Sequence, residues 1–509
     1  MTKLASYYLP GLYVEDCAID VPLDWRGMEP AQLAAGTASA GGVYGLAGTC
    51  DPGSTRDAGT APAAGARSQD DARHSGDARN APTPIPGAPE TLRLFYRVVC
   101  APENVERELP LLVFLQGGPG GQGPRLTSTT SDGWVAEAVK RFRVVLPDQR
   151  GTGRSSRVSR HALASLPGAR AQADFLKRFL ARSIVKDFEY LRLTAFGDVP
   201  WVTLGQSYGG FLTLTYLSFY PQGVAASFTC GGIPHVPASA AEVYAHTFPR
   251  MATKTRQLYE RYPLDELRTA ALADRLAAGD VTLPDGSPMT VRRLQLMGSD
   301  FGMKPSFERM HNILDTAFEQ GDGSDVSDPA SLVVSDAFLA AAYARTSTAA
   351  NPLYWTLQEF IYADGDASGE LEAPIGWAAG REYDARPEFS PAARPLLYTG
   401  EAMFPWMFEE DPLLAPFRPA MDLLMADAAG WDRIYDPAAL ASNEVPLQAA
   451  VYFDDLYVDS GLQLDTLSRV GASHAWVTNE FEHDGLHGPA VFKHLLDEAL
   501  NRGDLARVF

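Results

Sequence analysis

The segment Gly205-Gln206-Ser207-Tyr208-Gly209 has the spacing of a turn that presents a nucleophilic serine. A pattern of only five residues also occurs by chance, so its structural context decides whether it marks a nucleophile. The apolar run PWVTLGQ (200–206) precedes the turn, an apolar helical stretch follows it, and the two glycines permit a sharp bend with close packing. The context predicts a strand–turn–helix unit that exposes the Ser207 hydroxyl. The competing interpretation is a serine that only caps the helix.

A serine hydroxyl needs an adjacent base, and the base needs a carboxylate partner. With this kind of turn, the partners follow along the chain in the order serine, acid, histidine. The run VPLQAAVYF (445–453) ends just before two carboxylates, so Asp455 is the predicted acid and Asp454 the reserve. His483 follows the next strand-like run and is the predicted base, with His487 as the alternative. A solvated acidic loop is the competing interpretation for the aspartates.

Acyl transfer also requires N–H donors that face the oxygen on which charge develops. The N–H of Tyr208, directly after the nucleophile, is one predicted donor. Residues 116–121 (QGGPGG) supply a second, for which Gly118 is the choice. These glycines lack the GxxxxGK[ST] pattern of a phosphate loop, so the segment is not predicted to bind a nucleotide.

The elements that would position these residues alternate between strands and helices. Short apolar runs rich in β-branched residues indicate strands buried on both faces, which is typical of a parallel sheet. Strands are predicted at 12–25, 92–100, 109–118, 142–148, 200–206, 224–232, 445–453 and 472–480, and helices at 134–141, 171–193, 209–219 and 489–502. The pattern predicts an α/β protein with a doubly wound, mostly parallel sheet.

The same pattern divides the chain. Residues 1–234 and 445–509 are predicted to form the two parts of the sheet domain, and 235–444, which lack the strand–helix rhythm, an inserted helical cap. Residues 31–88 have almost no large apolar side chains and cannot offset the entropy cost of ordering. They are predicted to be a flexible, low-complexity insertion without a catalytic role.

Composition excludes several classes of function. The 509 residues are 46% hydrophobic and carry a net charge of −20, which argues against a nucleic-acid partner. The charge serves solubility or attracts cationic substrates. None of the four cysteines forms a CxxC pair, and no HExxH motif is present, so no metal or other cofactor is expected.

The expected location is the cytoplasm. Scattered cysteines are typical of a reducing compartment, and no apolar stretch suited to a signal peptide follows the first residues. No apolar run approaches the roughly 18 residues that span a bilayer, so no membrane association is expected. The sequence leaves the oligomeric state open.

Three motifs together resemble the proline iminopeptidase (prolyl aminopeptidase) family of α/β-hydrolases: GGPGG at 117–121, DQRGTGRS at 148–155 and GQSYGG at 205–210. The resemblance covers roughly 90–234 and 445–500 and is loose in the cap. Two positions depart from the usual pattern, because Gln116 stands where the family has His and GQSYGG replaces GGSWGG. Neither departure touches the predicted serine, acid or histidine.

The resemblance implies an α/β-hydrolase fold and an enzyme that releases N-terminal proline from small peptides through an acyl-enzyme on Ser207. It also implies acidic cap residues that hold the free amine of the substrate, for which Glu359 and Glu401 are the candidates. Both lie among aromatic residues, and ordinary packing with solvated carboxylates is the alternative. Arg150 of the second motif is expected to be structural and to bridge carboxylates beneath the site.

Two other functions compete with this one. A serine esterase or amidase would share the fold and the catalytic residues but would not recognise an amine. A non-catalytic binding protein on the same scaffold would not need a serine, an acid and a histidine in the required order.

Overall fold

The computed structural model describes residues 1–37, 84–321 and 331–509. These residues form a nine-stranded sheet in the order β1-β2-β3-β5-β4-β6-β7-β8-β9. The strands are β1 (Thr2–Leu9), β2 (Leu12–Pro22), β3 (Thr91–Cys100), β4 (Leu111–Leu115), β5 (Arg143–Pro147), β6 (Trp201–Gln206), β7 (Val224–Cys230), β8 (Leu447–Tyr452) and β9 (Ser473–Thr478).

The sheet is mixed but mostly parallel, as the sequence predicts. The pairs β1–β2, β2–β3 and β3–β5 are antiparallel, whereas β5, β4, β6, β7, β8 and β9 run parallel to one another. Every residue of β4, β6 and β8 is buried, which explains why these strands appear in the sequence as continuous apolar runs. β1 has no counterpart among the predicted strands, because it is a half-exposed edge strand without such a run.

Eighteen α-helices are described. They are α1 (Pro30–Thr37), α2 (Val135–Ala138), α3 (Arg160–Ala164), α4 (Gly168–Leu176), α5 (Ala181–Ala195), α6 (Tyr208–Phe219), α7 (Ala240–Arg261), α8 (Pro263–Leu276), α9 (Val291–Leu296), α10 (Ser306–Leu314), α11 (Asp336–Thr346), α12 (Pro352–Leu357), α13 (Ala378–Asp384), α14 (Met407–Glu410), α15 (Arg418–Ala426), α16 (Pro437–Ala441), α17 (Ser460–Leu467) and α18 (Ala490–Arg502).

Two apolar clusters cover the two faces of the sheet. On one face, Leu112 and Phe114 of β4 belong to a cluster with Trp134 beside α2 and Phe492 of α18. On the other face, Val113 of β4 belongs to a cluster that includes α5 and α6 and continues into helices α7–α16. Those ten helices lie between β7 and β8, in the region predicted to be a helical cap.

The structure corrects two details of the prediction. The helix predicted over 171–193 is interrupted, because Leu180 has an extended backbone between α4 and α5 and the carbonyl of Arg178 accepts a hydrogen bond from Arg150 (2.7 Å). The flexible insertion is predicted to start at residue 31, but residues 31–37 belong to α1, which packs against α5. Residues 38–83 of that insertion lie outside the described residues.

In the described part of the chain, no helix combines the length and the apolar character that a membrane crossing requires.

Candidate active site

Ser207 occupies the turn between β6 and α6. Its backbone has φ 55° and ψ −125°, a left-handed conformation that is strained for a residue with a Cβ. Two backbone hydrogen bonds stabilise this conformation. The Ser207 N–H donates to the carbonyl of Cys230 (3.1 Å), and the Gly210 N–H donates to the carbonyl of Ser207 (2.8 Å). The Ser207 side chain makes no capping hydrogen bond to α6. The hydroxyl is therefore not occupied as a helix cap.

Gly209 explains why the turn needs glycine after the serine. A Cβ at this position would lie 1.8 Å from the carbonyl oxygen of Leu115 at the end of β4. Such an overlap cannot be relieved by a side-chain movement, because the opposing atom belongs to the backbone of a buried strand. Glycine thus lets the first turn of α6 pack directly against β4.

Asp455 and His483 follow β8 and β9, so they lie at the same edge of the parallel sheet as Ser207. His483 Nδ1 is 2.8 Å from Asp455 Oδ2. The other carboxylate oxygen, Oδ1, accepts the N–H groups of Tyr457 (2.8 Å) and Val458 (3.0 Å). Asp455 is fully buried, and His483 is nearly so. The structure therefore brings the predicted acid and base into direct contact.

The surroundings of His483 set its proton affinity. Burial lowers the pKa of the imidazole, but the charge of Asp455 and the hydrogen bond to it raise the pKa by more. The net pKa lies above the usual value for histidine. The edge of the imidazole packs against the ring of Tyr457, with 4.6 Å between ring centroids. The Asp455 bond uses Nδ1 and leaves Nε2 as the nitrogen that can exchange a proton with a substrate group.

Two glycines after β7 connect the serine turn to this pair. A Cβ at Gly232 would lie 2.3 Å from the carbonyl oxygen of Ser207, and a Cβ at Gly231 would lie 3.0 Å from Asp455 Oδ2. Consecutive residues thus touch the backbone of Ser207 and the carboxylate of Asp455. Two consecutive residues after β7 therefore lie beside the backbone of Ser207 and beside the carboxylate that binds His483.

The two reserve residues lie elsewhere. Asp454 is exposed, although it precedes Asp455 directly. His487 is also exposed, and its Nδ1 is 3.0 Å from Asp132 Oδ1, an interaction that raises its pKa. Neither residue takes part in the contact between Asp455 and His483.

The glycine-rich loop after β4 lies against the serine turn. A Cβ at Gly117 would come within 3.0 Å of the Ser207 Cβ, and Gly118 has φ 130°. The loop is anchored from below, because the Gln149 side-chain amide donates to the carbonyl of Gln116 (2.7 Å). Tyr208 is the first residue of α6, and the first N–H groups of a helix have no acceptor within the helix. Tyr208 thus follows Ser207 directly, and the predicted donor Gly118 is the next residue after Gly117, which lies against the serine.

The DQRG motif shapes this loop and the structure beneath it. Buried Asp148 accepts the N–H of Gly123 (2.9 Å) and of Arg154 (2.7 Å) and a bidentate pair from Arg125. The roles of Asp148 and Gln149 were not predicted, although both belong to the motif that carries the family resemblance.

Arg150 is buried beneath the site, as expected for a structural residue. It binds a single carboxylate, that of Asp187, at 2.5 and 2.7 Å. Its other contacts are the carbonyls of Pro22, Leu23 and Arg178. The expectation that it bridges carboxylates is therefore wrong. The loop and helix ends around it present carbonyl oxygens that a guanidinium can satisfy in several directions at once.

The two candidate acids of the cap have different environments. Loss of water around Glu401 raises its pKa to about 7, and the charges of Glu401 and His483 influence each other. Its carboxylate accepts a hydrogen bond from the hydroxyl of Tyr354. Sequence reasoning missed Tyr354, because the contact joins α12 to a residue that is distant along the chain.

Glu359 is fully buried, and burial raises its pKa to about 7. Each of its oxygens accepts a backbone N–H at the start of α13, from Ala378 (2.8 Å) and Ala379 (3.0 Å). Its carboxylate thus satisfies a helix N-terminus within the protein.

Metal ions in proteins prefer His, Cys, Asp and Glu side chains as ligands. Within residues 1–37, 84–321 and 331–509, no group of three or more His, Cys, Asp or Glu side chains is arranged to hold a metal ion.

This fold, with its serine turn and its Asp–His pair at one sheet edge, is that of an α/β-hydrolase, and residues 110–273 match the family model for the alpha/beta hydrolase fold. A proline iminopeptidase of Aeromonas sobria is 40% identical over 409 residues, which cover 79% of this chain and 89% of the relative. A proline iminopeptidase of Aspergillus aculeatus is 31% identical over 79% of this chain and 87% of its own length. The chain belongs to the proline iminopeptidase family.

Two solved structures also resemble the chain. A proline iminopeptidase of Mycobacterium smegmatis has 16% identity and a TM-score of 0.38, over 82% of this chain and 97% of its own. A thermophilic esterase of Thermogutta terrifontis has 15% identity and a TM-score of 0.32, over 82% and 95%. Family membership rests on the two sequence relatives.

Proposed function

We propose that this chain is a serine aminopeptidase that hydrolyses the bond after an N-terminal proline, with Ser207 as nucleophile, His483 as base and Asp455 as acid. The observation that carries the proposal is the electrostatic interaction of Glu401 with the base. This cap carboxylate interacts electrostatically with His483, which is bound to Asp455. An acidic group whose charge acts on the base suits a substrate whose free amine lies one residue from the scissile bond.

Acylation begins when the Ser207 hydroxyl transfers its proton to His483 Nε2 and its oxygen attacks the carbonyl carbon of proline. The carbonyl oxygen becomes an oxyanion, which the N–H groups of Tyr208 and Gly118 stabilise by hydrogen bonds. Asp455 stabilises the imidazolium and holds the ring in its tautomer. The intermediate collapses when the C–N bond breaks and His483 donates its proton to the departing amine. The shortened peptide leaves, and proline remains as an ester on Ser207.

Deacylation repeats these steps with water as the nucleophile. A water molecule gives a proton to His483 Nε2 and its oxygen attacks the ester carbon. The second tetrahedral intermediate breaks the bond to Ser207, and His483 returns the proton to the serine oxygen. Free proline leaves, and the enzyme regains its starting state.

We assign recognition of the substrate amine to Glu401. A buried ammonium is costly unless a carboxylate pairs with it. Since the pKa of Glu401 is about 7, the arriving positive charge will favour the ionised carboxylate, which Tyr354 stabilises by a hydrogen bond. Glu359 is a weaker candidate for direct contact, because backbone N–H groups already bind both of its oxygens. The substrate in this proposal is a small peptide with a free N-terminal proline.

The division of the chain into a sheet domain, 1–234 with 445–509, and a helical cap, 235–444, belongs to the same proposal. We also propose that the enzyme acts in the cytoplasm. The buried free thiols of Cys100 and Cys230 support a reducing compartment.

A comparison of proline arylamide with N-acetylproline arylamide tests the function. An aminopeptidase should lose most of its kcat/KM when the amine is blocked, because the acetylated nitrogen carries no charge for Glu401. Equal rates on the two substrates would contradict the proposal and would favour an esterase or amidase with the same catalytic residues. Alanine arylamide is the matched control for the proline ring.

A further inference from the structure

One turn of helix α7 contacts both loops that carry the Asp–His pair. Arg250 and Lys254 are four residues apart, so they lie on the same side of the helix. The acid loop (residues 453–460) follows β8, and the base loop (residues 479–485) follows β9. We call residues 250–254 the clamp turn.

Arg250 holds the acid loop by several hydrogen bonds. Its Nε donates to Asp459 Oδ2 (2.7 Å), and its Nη2 donates to Ser460 Oγ (3.1 Å). Its Nη1 donates to the carbonyls of Phe453 (3.0 Å) and of Asp455 itself (3.4 Å). A planar guanidinium with this many partners leaves the loop little freedom. The backbone of the acid is thus tied to a cap helix.

Lys254 holds the base loop through one ion pair. Its Nζ lies 2.5 Å from Oε1 of Glu482, the residue before His483. Both side chains are largely buried, at 12% and 10% exposed, so solvent screens the pair less than it would a surface pair. The backbone N–H of His483 donates to the carbonyl of Gly302 (2.9 Å), which is a second contact that fixes the base loop.

An adjacent side of the helix reaches the segment that carries Glu401. A Cβ at Gly400 would lie 2.8 Å from Met251 Cγ, and the N–H of Tyr398 donates to Thr255 Oγ1 (3.3 Å). The same part of α7 therefore contacts the segments that present the acid, the base and the candidate amine partner.

We propose that Arg250 and Lys254 are positioning residues, which set the separation of Asp455 and His483 by tying both loops to one turn of α7. The proposal rests on the function proposed above and deepens it. Neither residue touches the reacting atoms in this arrangement. Their effect is geometric, because a base displaced by about 1 Å loses up to roughly 100-fold in rate even when every reacting group is present.

The test compares Arg250→Met and Lys254→Met with the wild type on proline arylamide. We expect kcat to fall by about 10- to 100-fold while KM changes by less than about threefold, because the substrate contacts remain. The labelling rate of Ser207 by an uncharged alkyl fluorophosphonate should fall by a similar factor, since this reagent needs the base but no amine site. Arg261→Met is the matched control, because it removes an ion pair to Glu308 from the same helix without touching either loop.

Rescue separates positioning from general damage. Lys254→Arg should retain most activity, and the exchange Lys254→Glu with Glu482→Lys should restore part of the kcat lost in Lys254→Glu alone. If a methionine variant fails to fold, Arg250→Lys and Lys254→Gln are measured by the same criteria. Folded variants whose kcat and labelling rate both stay within about twofold of the wild type would overturn the proposal.

Failure of the proposed function gives a different result. A wild type that is labelled at Ser207 but releases no proline would contradict the aminopeptidase activity. The labelling rates of the variants would still decide whether the clamp turn positions the base.

Discussion

His483 Nδ1 lies 2.8 Å from Oδ2 of Asp455, and the second oxygen of that carboxylate is held by the N–H groups of Tyr457 and Val458. The carboxylate therefore cannot rotate away from the imidazole without losing two backbone hydrogen bonds. The bond fixes the imidazole tautomer that carries its proton on Nδ1, which leaves Nε2 as the proton acceptor. Both acylation and deacylation in the proposed mechanism need Nε2 of His483 free to accept a proton.

Replacing Asp455 by Asn should lower kcat by on the order of 10⁴-fold, because an amide can hold the wrong tautomer of His483. Asp454→Asn is the matched control and should remain near wild type, since Asp454 is exposed and lies outside the pair. Steady-state kinetics on proline arylamide measures both. A larger loss in the Asp454 variant would reverse the assignment.

Ser207→Ala should lower kcat by several orders of magnitude, because it removes the nucleophile. Ser218→Ala in the same helix is the control, as the Ser218 hydroxyl donates to the carbonyl of Leu214 away from the turn. The measurements are arylamide hydrolysis and covalent labelling by a fluorophosphonate. Wild-type turnover in Ser207→Ala would exclude this residue as the nucleophile.

The dependence of kcat/KM on pH should show two ionisations on its acid side. His483 must be neutral to accept a proton, and its raised pKa means that this form is lost as pH falls through a value above the usual one. Glu401, with a pKa of about 7, must be ionised to bind an ammonium and is neutralised over the same range. Wild-type activity should therefore fall with a limiting slope of about two in log kcat/KM.

Glu401→Gln should reduce that slope to about one, and the remaining limb should move to lower pH, because the negative charge that raises the pKa of His483 is gone. The control is the pH dependence of the free energy of unfolding, which shows whether the protein stays folded over the range. Identical slopes in the two proteins would mean that Glu401 does not titrate with activity.

Loss of Glu401 should affect activity, whereas loss of Glu359 should affect stability. At a pH above both ionisations, Glu401→Gln should lower kcat/KM on proline arylamide by about 10- to 100-fold and leave any hydrolysis of the N-acetylated substrate unchanged. Glu359→Gln should keep the preference for a free amine but lose about 1–3 kcal/mol of stability, because an amide offers one acceptor to the two N–H groups of α13. Urea unfolding and kinetics on both substrates distinguish the outcomes, and the reverse pattern would exchange the roles.

Arg150→Met should destabilise the protein by about 3–5 kcal/mol, because it leaves Asp187 buried without its charge partner. Arg170→Met is a matched control at half-exposed ion pairs with Asp174 and Asp427 and should cost about 0–1 kcal/mol, because Asp427 keeps Lys177 as a partner. Denaturant midpoints report the difference. A small loss in Arg150→Met would mean that Asp187 is neutral in the folded state.

The fold could be predicted from the sequence because its signals are local. Strands β4, β6 and β8 are buried on both faces, and such strands need continuous apolar runs wherever they lie in the sheet. The edge strand β1 carries no such run and was missed. The break between α4 and α5 was also missed, because it depends on the hydrogen bond from Arg150 to the distant carbonyl of Arg178.

The sequence by itself determined the serine turn, because glycine at 205 is required within a single strand–turn–helix unit, where a Cβ would lie 2.4 Å from the carbonyl oxygen of Gly209. It also narrowed the choice of the acid and of the base to two residues each. Only the tertiary structure decided that Asp455 rather than Asp454 contacts His483, and that Glu401 rather than Glu359 interacts with it. Adjacent residues in a loop point in different directions, and residues far apart in a cap meet only after its helices have packed. Side-chain direction and long-range packing are therefore properties of the folded chain, which no local pattern contains.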